Sequence, residues 1–394
     1  MVQEYLIYGG RVVSPEGVWE NGSVHVRDER IAQVSKERLY VPGAKEIDAR
    51  GRYVTPGLID IHVHGGDGAY FSQSTVEAFE TVAKLHCQYG VTALQVTPSA
   101  LPFEGFEKLI AAYRQWVEED RSGGSELLGI HLEGPFFSME QRGAQPPQFI
   151  REPTSDDAAY LLDNADIINE MTIAPEVPGA LELIRTLSSH GILVSSGHTD
   201  AREEDMLKAI DAGLRHVTHI YSGMSSMVRI GPWRVPGALE VGLTHPDLTI
   251  EMIGDLRHLP VTLVNLIIRA RGTDRICLVS DALRAAGKPE GFRFLSDGQE
   301  VVVEEGVAMM ADHTCFAGSI QPVGRMLRNM VQTVGVPFLE ALGMTTTVPA
   351  RILGIDERKG KLATDMDADI TIFDEDFNYH LTMVGGEIVH QQDL

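Results

Sequence analysis

Eight short apolar runs, each followed by a longer amphipathic stretch, constrain the fold of this chain more than any other feature. The runs are LIDIHVH, VTALQVT, ELLGIHLEG, INEMTIAPE, ILVSSGH, RHVTHI, LTIEMIG and RICLVSD. Segments between them, such as STVEAFETVAKLHCQYG and AREEDMLKAIDAG, carry apolar residues at helical spacing. This alternation is typical of a parallel α/β fold, and eight repeats favour a closed barrel over an open sheet. We therefore predict an α/β chain built on a (β/α)8 TIM-like barrel.

Short β patterns punctuated by glycine occur at both ends of the chain. YLIYGGRVV and GSVHVRDERIAQV lie near the start, and ADITIFDEDFNYHLTMVGGEIVH lies near the end. We predict that the termini pair into one small, discontinuous, β-sandwich-like domain of residues 1–54 and 359–394. The barrel is then predicted to occupy residues 55–358, and the length of 394 residues is sufficient for both units.

Charge and cysteine content narrow the classes of partner and of metal site. The formal net charge is −23, which disfavours nucleic acid as a partner because a phosphate backbone requires a basic surface. No apolar run approaches the roughly 20 residues that span a bilayer, so we expect a cytoplasmic protein without a membrane partner. The three cysteines lie far apart, which suits a reducing compartment. Any metal ion must therefore be bound by histidines and carboxylates.

Side chains able to bind a metal ion fall at the carboxyl ends of the predicted strands. They are His62, His64, Glu133, His198, His219 and Asp281. In a barrel these ends converge on one rim, so residues more than 200 positions apart in this sequence would meet around one pocket. Imidazole and carboxylate ligands suit Zn²⁺, Fe²⁺ or a similar divalent ion, and a catalytic site leaves one position for water. We predict a shared site for one or two divalent ions, most consistent with zinc or iron.

The remaining histidines and one loop are interpreted more simply. His131 lies two residues before Glu133, and two roles stay open for it, orienting the site and packing in the core. No role is assigned to His25, His86, His190, His245, His380 and His390. The segment MVRIGPWRVPG, residues 227–237, is predicted to be a loop after the sixth strand, on the face where barrels hold their active sites.

Taken together, the motifs resemble those of one enzyme family. HVHGG, HLEGPF, SGHT, THIYSGM, LVSDAL and AGS, with the ending KGKLATDMDADITIFD and MVGGEIV, are similar to the N-acetylglucosamine-6-phosphate deacetylases of the amidohydrolase superfamily. The resemblance covers essentially the whole chain. It implies hydrolysis of N-acetyl-D-glucosamine 6-phosphate to D-glucosamine 6-phosphate and acetate through a metal-activated water. It also implies metal binding by Glu133, His198 and His219, with Asp281 as the acid-base residue. Because His62 and His64 are present, the number of metal ions stays open: a second ion, bridged to the first by Glu133, is compatible with the resemblance.

The resemblance further implies nine substrate-binding positions. They are Ala144, Gln145, Ser222, Gly223, Arg234, His258, Ala317, Gly318 and Ser319. Gln145 stands where the family commonly has a histidine, so it can donate a hydrogen bond but cannot carry a positive charge. Arg234 lies in WRVPG, a longer form of the family's REPG, and Arg229 competes with it for the sugar phosphate. In relatives that arginine often comes from a neighbouring subunit, which implies a homodimer.

Three alternatives remain at this point. The substrate could be the phosphate of N-acetylgalactosamine or N-acetylmannosamine, each of which differs from the glucosamine compound in the configuration at one ring carbon. A cyclic-amide hydrolase of the dihydroorotase or hydantoinase kind usually bridges two ions with a carboxylated lysine on the fourth strand, and MTIAPE offers none. A non-catalytic barrel acting as a scaffold would have no reason to keep Asp281 and every ligand position.

Overall fold

A sheet of eight parallel strands, arranged in chain order, forms the centre of the molecule. The structure is a computed structural model that describes residues 3–119, 121, 123–296 and 298–393. We number the eight as barrel strands 1 to 8; they are Leu58–Asp60, Val91–Val96, Glu126–Glu133, Ile168–Ile173, Leu193–Ser196, His216–Val217, Thr249–Ile253 and Ile276–Val279. The prediction of an α/β barrel is confirmed.

The barrel closes just beyond the ends of strands 1 and 8. Val63 and Ala282 form a parallel bridge there. The backbone N–H of Asp281 donates to the carbonyl of His62 at 2.9 Å. The closure therefore places two of the predicted site residues beside each other, although they are distant in the sequence.

Helices cover the outside of the barrel strands. They span Val76–Cys87, Phe103–Glu118, Ser155–Asp163, Ala180–Ser189, Glu203–Ala212, Ala238–Thr244, Val261–Arg271, Val323–Arg328, Phe338–Gly343 and Thr347–Ile352, and a π-helical turn spans Asn329–Val334. The first helix begins where the Thr75 side chain accepts a hydrogen bond from the N–H of Ala78. Phe79 and Val82 of this helix are fully buried, and each such side chain contributes roughly 1.5–3 kcal/mol by leaving water.

The two chain ends pair in one sheet, which we call the terminal sheet. Its strands are Glu4–Ser14, Gly17–Arg27, Arg30–Ser35, Lys45–Asp48, Tyr53–Pro56, Ile370–Phe373, Tyr379–Val384 and Glu387–Gln391. The link between the ends is the antiparallel pairing of Ile370–Phe373 with Tyr53–Pro56. The predicted pairing of the termini is thus observed, and the domain boundaries at residues 54/55 and 358/359 stay a prediction.

A buried lysine joins the barrel to the segment that leads into the terminal sheet. The side chain of Lys359 is 2% exposed. Its Nζ lies 2.5 Å from Glu126 of barrel strand 3, 3.0 Å from Asp367 and 2.5 Å from Asp369. Burial alone would lower the pKa of Lys359, but the charges of Asp369 and Glu126 raise it. The lysine therefore stays charged, and the carboxylates around it depend on that charge.

Replacing Lys359 with methionine is expected to lower the free energy of unfolding by about 3–5 kcal/mol, because it leaves buried carboxylates without their cation. Denaturant unfolding followed by circular dichroism measures this change. Lys36→Met is the matched control, since Lys36 and Glu16 form an ion pair in which both side chains are more than half exposed, and its loss should cost less than about 1 kcal/mol. Equal effects of the two substitutions would contradict the role given to Lys359.

Three elements near the rim of the barrel are absent from the sequence-based prediction. After barrel strand 8 the chain forms a four-stranded antiparallel sheet of Arg293–Ser296, Gln299–Glu304, Val307–Met310 and Phe316–Gly318, which we call the insert sheet. The predicted loop at residues 227–237 contains a two-stranded hairpin of Val228–Ile230 and Trp233–Val235. A smaller ribbon pairs Gly65–Gly66 with Ala69–Tyr70.

Candidate active site

Three of the predicted site residues meet at a single carboxylate oxygen. Glu133 is the last residue of barrel strand 3, and its side chain is 1% exposed. Its Oε1 lies 3.0 Å from Nε2 of His198 and 3.0 Å from Nε2 of His219. These histidines follow strands 5 and 6 by two residues each. Glu133, His198 and His219 therefore form a compact group at the carboxyl ends of three strands.

The histidine pair after strand 1 and the aspartate after strand 8 complete the cluster. Nε2 of His64 lies 3.4 Å from Glu133 Oε2 and 3.1 Å from Asp281 Oδ1. Nε2 of His62 lies 3.3 Å from Nε2 of His64, 3.7 Å from Glu133 Oε1 and 3.8 Å from Asp281 Oδ1. The structure thus brings together all six residues that the sequence analysis assigned to the metal and to acid-base chemistry.

Three of the site residues have a strained backbone. His198, His219 and Asp281 have φ angles of 48°, 26° and 46°, in the left-handed region that residues other than glycine rarely adopt. Such conformations cost of order 1–3 kcal/mol each and are retained where the surroundings enforce them. Gly223 approaches His198 so closely that a Cβ on it would lie 2.8 Å from the His198 Nδ1. These features indicate that the local backbone is adapted to aim side chains at the rim.

Hydrogen bonds on the far side of three imidazole rings fix the direction of their lone pairs. The Nδ1 atoms of His64, His198 and His62 each face an acceptor. The acceptors are Thr97 O at 3.0 Å, Gln141 O at 2.9 Å and Glu251 Oε2 at 2.9 Å, respectively. A carbonyl or carboxylate oxygen can only accept, so each Nδ1 carries a proton and each Nε2 points into the cluster. Converging Nε2 atoms around a carboxylate are the donor set that binds a divalent ion, so the residues present fit a metal.

The charges in the cluster favour ionised carboxylates. Burial alone would raise the pKa of Glu133, but the charge of His62 and the contacts with His198 and His219 lower it well below its usual range. Burial likewise opposes ionisation of Asp281, yet the hydrogen bond with His64 and the nearby histidine charges lower the pKa of Asp281. Both carboxylates are therefore ionised at neutral pH.

A cavity of about 310 Å³ opens above the cluster and reaches Glu133, His64, His198, His219 and Asp281. This volume lies within the range of small-molecule sites. One wall is apolar and includes Leu283 and Met310. No lysine or arginine lines the cavity in the part of the chain that the structure describes.

The structure places the predicted substrate-binding residues in three groups. Those that line the cavity are Ala144, Gln145, Ser222, Gly223, His258 and Ala317. Gly318 and Ser319 lie behind the rim, where the N–H of Ser319 donates to the carbonyl of Asp281 at 2.9 Å. Arg234 is on the exposed hairpin and does not line the cavity, and the competing Arg229 is exposed on the same hairpin.

Sequence reasoning missed two groups of residues at this site. The insert sheet contributes Ser296, Gln299, Met310 and Phe316 to the cavity wall. Glu251, from the middle of strand 7, contacts His62 from beneath the cluster. The residues of the insert sheet belong to no recognisable sequence motif. Glu251 is the single carboxylate inside LTIEMIG, and the only signal in the sequence is the free energy that it costs to bury a carboxylate without a partner. His131 faces Ile61 O at 3.2 Å and Thr172 Oγ1 at 2.7 Å, and its ring lies 4.9 Å from that of His62, so both roles considered for it, orienting the site and packing in the core, stay open.

Comparison with known proteins identifies the family to which this chain belongs. The model of the amidohydrolase family matches residues 53–389. The chain belongs to the amidohydrolase family. It is 34% identical over 98% of both chains to the N-acetylglucosamine-6-phosphate deacetylase of Bacillus subtilis (strain 168). It is 30% identical to the N-acetylgalactosamine-6-phosphate deacetylase of Escherichia coli O157:H7, over 98% of this chain and 99% of the relative.

A solved amidohydrolase shows the same architecture from end to end. The crystal structure of N-acetylglucosamine-6-phosphate deacetylase from Pasteurella multocida superimposes with a TM-score of 0.91 and 28% sequence identity. The match covers 98% of this chain and 99% of the other. Membership in the amidohydrolase family implies a hydrolase that uses a divalent metal ion, and the cluster of Glu133, His198 and His219 has ligand atoms close enough together to bind one.

Two further observations concern the cyclic-amide alternative and the possibility of a membrane-spanning helix. Strand 4, Ile168–Ile173, contains no lysine, so the carboxylated lysine of the cyclic-amide hydrolases has no counterpart there, and Glu133 provides the carboxylate from strand 3. Within the described residues, no helix combines the length and the apolar character needed to cross a membrane.

Proposed function

We propose that this chain hydrolyses the acetamide of N-acetyl-D-glucosamine 6-phosphate, releasing D-glucosamine 6-phosphate and acetate. The observation that carries the proposal is the convergence of Glu133, His198 and His219 with Asp281 at the base of one cavity. Full-length similarity to a deacetylase of that substrate supports the choice of sugar. The similar identity to a galactosamine-type deacetylase keeps that epimer as the second candidate.

Glu133, His198 and His219 would hold the divalent metal ion, and His62, His64 and Glu133 would hold a second one. We propose zinc or iron, because imidazole and carboxylate ligands suit both. A bound ion supplies Lewis acidity toward the acetamide oxygen and lowers the pKa of water. The protein's own part is to fix the ligand rings through their Nδ1 bonds and to keep Glu133 ionised.

Asp281 is the acid-base residue of the proposal. Its carboxylate lines the cavity and is ionised, so it can accept a proton from the attacking water. The same carboxyl group then protonates the departing amine, because a protonated amine is the better leaving group. Its Oδ1 lies 3.1 Å from Nε2 of His64, which places the carboxylate beside the metal ligands.

Gln145 holds Glu133 and retains one donor for the substrate. The N–H of Ala100 donates to Gln145 Oε1 at 2.8 Å, and Gln145 Nε2 donates to Glu133 Oε2 at 2.6 Å. This orientation of the amide is forced, since a backbone N–H can only donate and an ionised carboxylate can only accept. One N–H of the amide remains for the acetamide oxygen.

The sugar is proposed to bind in the cavity against Ser222, Gly223, Ala144 and Ala317, of which the two alanines pack against the same apolar cluster. His258 lines the same cavity, and its Nδ1 lies 2.7 Å from Asp255 Oδ2. That bond leaves the His258 Nε2 free to accept from a sugar hydroxyl. Ser319 supports Asp281 through its backbone N–H, and a Cβ on Gly318 would lie 3.0 Å from the carbonyl of Asp281, so both residues are proposed to act on the substrate through the position of Asp281.

The phosphate is proposed to be bound by an arginine of a second copy of the chain. The described lining of the cavity provides no lysine or arginine, whereas Arg234 and Arg229 lie on the hairpin at 228–235. Trp233 and Ile230 of this hairpin are 73% and 62% exposed, which favours burial against another subunit. We therefore propose a homodimer in which Arg234 of the hairpin reaches the neighbouring cavity, with Arg229 as the competitor.

Arg234→Ala is expected to raise KM for the phosphorylated sugar about 10- to 100-fold, since a hydrogen bond to a charged group contributes roughly 1.5–3 kcal/mol. The rate on unphosphorylated N-acetylglucosamine should stay unchanged. Arg229→Ala, from the same hairpin, is the comparison variant, and a larger rise in KM for Arg229→Ala than for Arg234→Ala would assign the phosphate to Arg229. Mixing the Arg234→Ala and Asp281→Asn chains should restore part of the activity if the arginine acts across subunits, and no restoration would contradict the dimer proposal.

A cytoplasmic location is proposed on two grounds. All three cysteines, Cys87, Cys277 and Cys315, are unpaired, which suits a reducing compartment. The substrate class is a phosphorylated metabolite, and such compounds are retained inside cells by their charge.

The proposal is tested by measuring acetate release from N-acetylglucosamine 6-phosphate. The galactosamine and mannosamine epimers, the unphosphorylated sugar and dihydroorotate are assayed alongside. We expect the highest kcat/KM for the phosphorylated glucosamine compound. A higher value for another epimer would keep the chemistry and change the substrate. Hydrolysis of dihydroorotate without release of acetate from any sugar would overturn the proposal.

A further inference from the structure

One buried carboxylate links two of the candidate metal ligands from beneath the site. Glu251 lies in the middle of barrel strand 7 and is fully buried. Its Oε2 is 2.9 Å from Nδ1 of His62 and accepts the backbone N–H of His219 at 3.0 Å. A single oxygen atom therefore contacts a ligand ring from strand 1 and the backbone of a ligand from strand 6.

The bond to His62 differs in kind from those of the other ligand rings. Nδ1 of His64 and Nδ1 of His198 both face backbone carbonyls, at 3.0 and 2.9 Å. Nδ1 of His62 instead faces a carboxylate, and a carboxylate partner makes an imidazole ligand more basic at its other nitrogen. His62 is thus the ligand ring whose donor strength depends most on a charged partner.

The second oxygen of Glu251 makes no hydrogen bond within the described residues. Oε1 lies 3.7 Å from Nε2 of His216, both of these atoms are buried without a hydrogen-bond partner, and Nδ1 of His216 lies 2.6 Å from Oγ1 of Thr249. Glu251 is enclosed by the barrel interior, where a carboxylate without charged or hydrogen-bonding partners would be costly. Within the described residues its side chain hydrogen-bonds to His62 and to the backbone of His219, both through Oε2, so the position of the carboxylate is tied to these two residues.

We infer that Glu251 is a positioning residue that fixes His62 with its Nε2 toward the metal site and thereby sets the affinity for the ion that His62 and His64 would hold. The inference rests on the proposed function only in taking the cluster to be a metal site. Glu251 touches neither the cavity nor the substrate, so its effect passes through His62 and the backbone of His219.

The test is the apparent dissociation constant for Zn²⁺, measured on the metal-free full-length protein by competition with a chromophoric chelator. Glu251→Ala removes the acceptor of His62, and loss of such a partner typically weakens metal binding about 10- to 100-fold. Glu251→Gln keeps an oxygen acceptor and loses the charge, so we expect a smaller loss. Circular dichroism and thermal unfolding establish that each variant is folded.

Glu170→Gln is the comparison variant within the same buried group. Glu170 lies on strand 4, is equally buried, accepts from Ser195 Oγ at 2.5 Å and lies near His216 together with Glu251, but in the described part of the chain it makes no hydrogen bond to a candidate ligand. It is expected to weaken Zn²⁺ binding much less than Glu251→Gln. If Glu170→Gln weakens Zn²⁺ binding as much as Glu251→Gln, the loss results from changing the total charge inside the barrel and not from the bond to His62, and the inference is overturned.

A double-mutant cycle tests the route through His62. If Glu251 acts mainly through that ring, adding Glu251→Ala to His62→Ala should weaken Zn²⁺ binding much less than Glu251→Ala weakens it in the native protein, and any remaining loss reports the bond to the backbone of His219. Fully additive losses would overturn the inference. Because this measurement uses Zn²⁺ and no substrate, it is independent of whether the sugar assignment is correct, so the two failures are distinguishable.

Discussion

Replacing Asp281 with asparagine is expected to lower kcat for deacetylation by about 1,000-fold, within the range that a positioned general acid-base residue contributes. Asparagine has nearly the same shape, but it cannot accept a proton from water or return one to the amine. The side chain lies 3.1 Å from His64 and is 12% exposed, so the substitution changes chemistry more than packing. Steady-state acetate release, with metal content determined in parallel, gives the result.

Asp67→Asn provides the control for this substitution. Asp67 also follows strand 1 near the rim, but it is 55% exposed and pairs with Lys288 outside the cavity. Its replacement should change kcat less than twofold. A loss smaller than about 10-fold for Asp281→Asn, in a folded and metal-loaded protein, would exclude it as the acid-base residue.

The second large effect is expected at Glu133. Glu133→Gln removes the negative charge between His198 and His219, whose Nε2 atoms each lie 3.0 Å from its Oε1. We expect the purified variant to lose most of its bound metal after dialysis. Activity should fall at least about 1,000-fold, because a metal ion contributes several kcal/mol to transition-state stabilisation and each 1.36 kcal/mol corresponds to a tenfold rate.

Metal content per chain, measured by elemental analysis, decides this prediction. Glu176→Gln serves as the control, since Glu176 is a largely buried carboxylate near the rim that bonds to Thr199 and to the backbone of Asp200. It should retain the metal. Full metal occupancy in the Glu133→Gln protein would show that Glu133 is not a ligand.

The barrel and its rim could be predicted from the sequence because both follow from local patterns. Apolar runs of strand length mark the barrel, and polar residues two positions past a run, such as His198, His219 and Asp281, necessarily lie at the carboxyl rim. Alternation along a strand likewise predicts that His62 and His64 face the same side. None of these inferences requires knowledge of contacts between distant segments.

The parts that could not be predicted depend on tertiary contacts. The insert sheet consists of short strands with mixed exposure, such as Arg293–Ser296, and resembles loop sequence until it is paired. Glu251 lies in a strand whose sequence is typical of an apolar core. Its bond to His62 joins residues that are 189 positions apart, so the local sequence carries no sign of it. The distance of Arg234 from the cavity in its own chain is likewise set by the hairpin at 228–235 and has no signature in the sequence.

The most direct test of the account is acetate release from N-acetylglucosamine 6-phosphate by the native protein, by the chelated metal-free protein, and by that protein after reloading with Zn²⁺ or Fe²⁺. We predict activity in the native protein, loss of at least about 100-fold on chelation, and recovery on reloading. Equal rates before and after complete removal of metal would contradict a metal-dependent deacetylase, whatever the sugar.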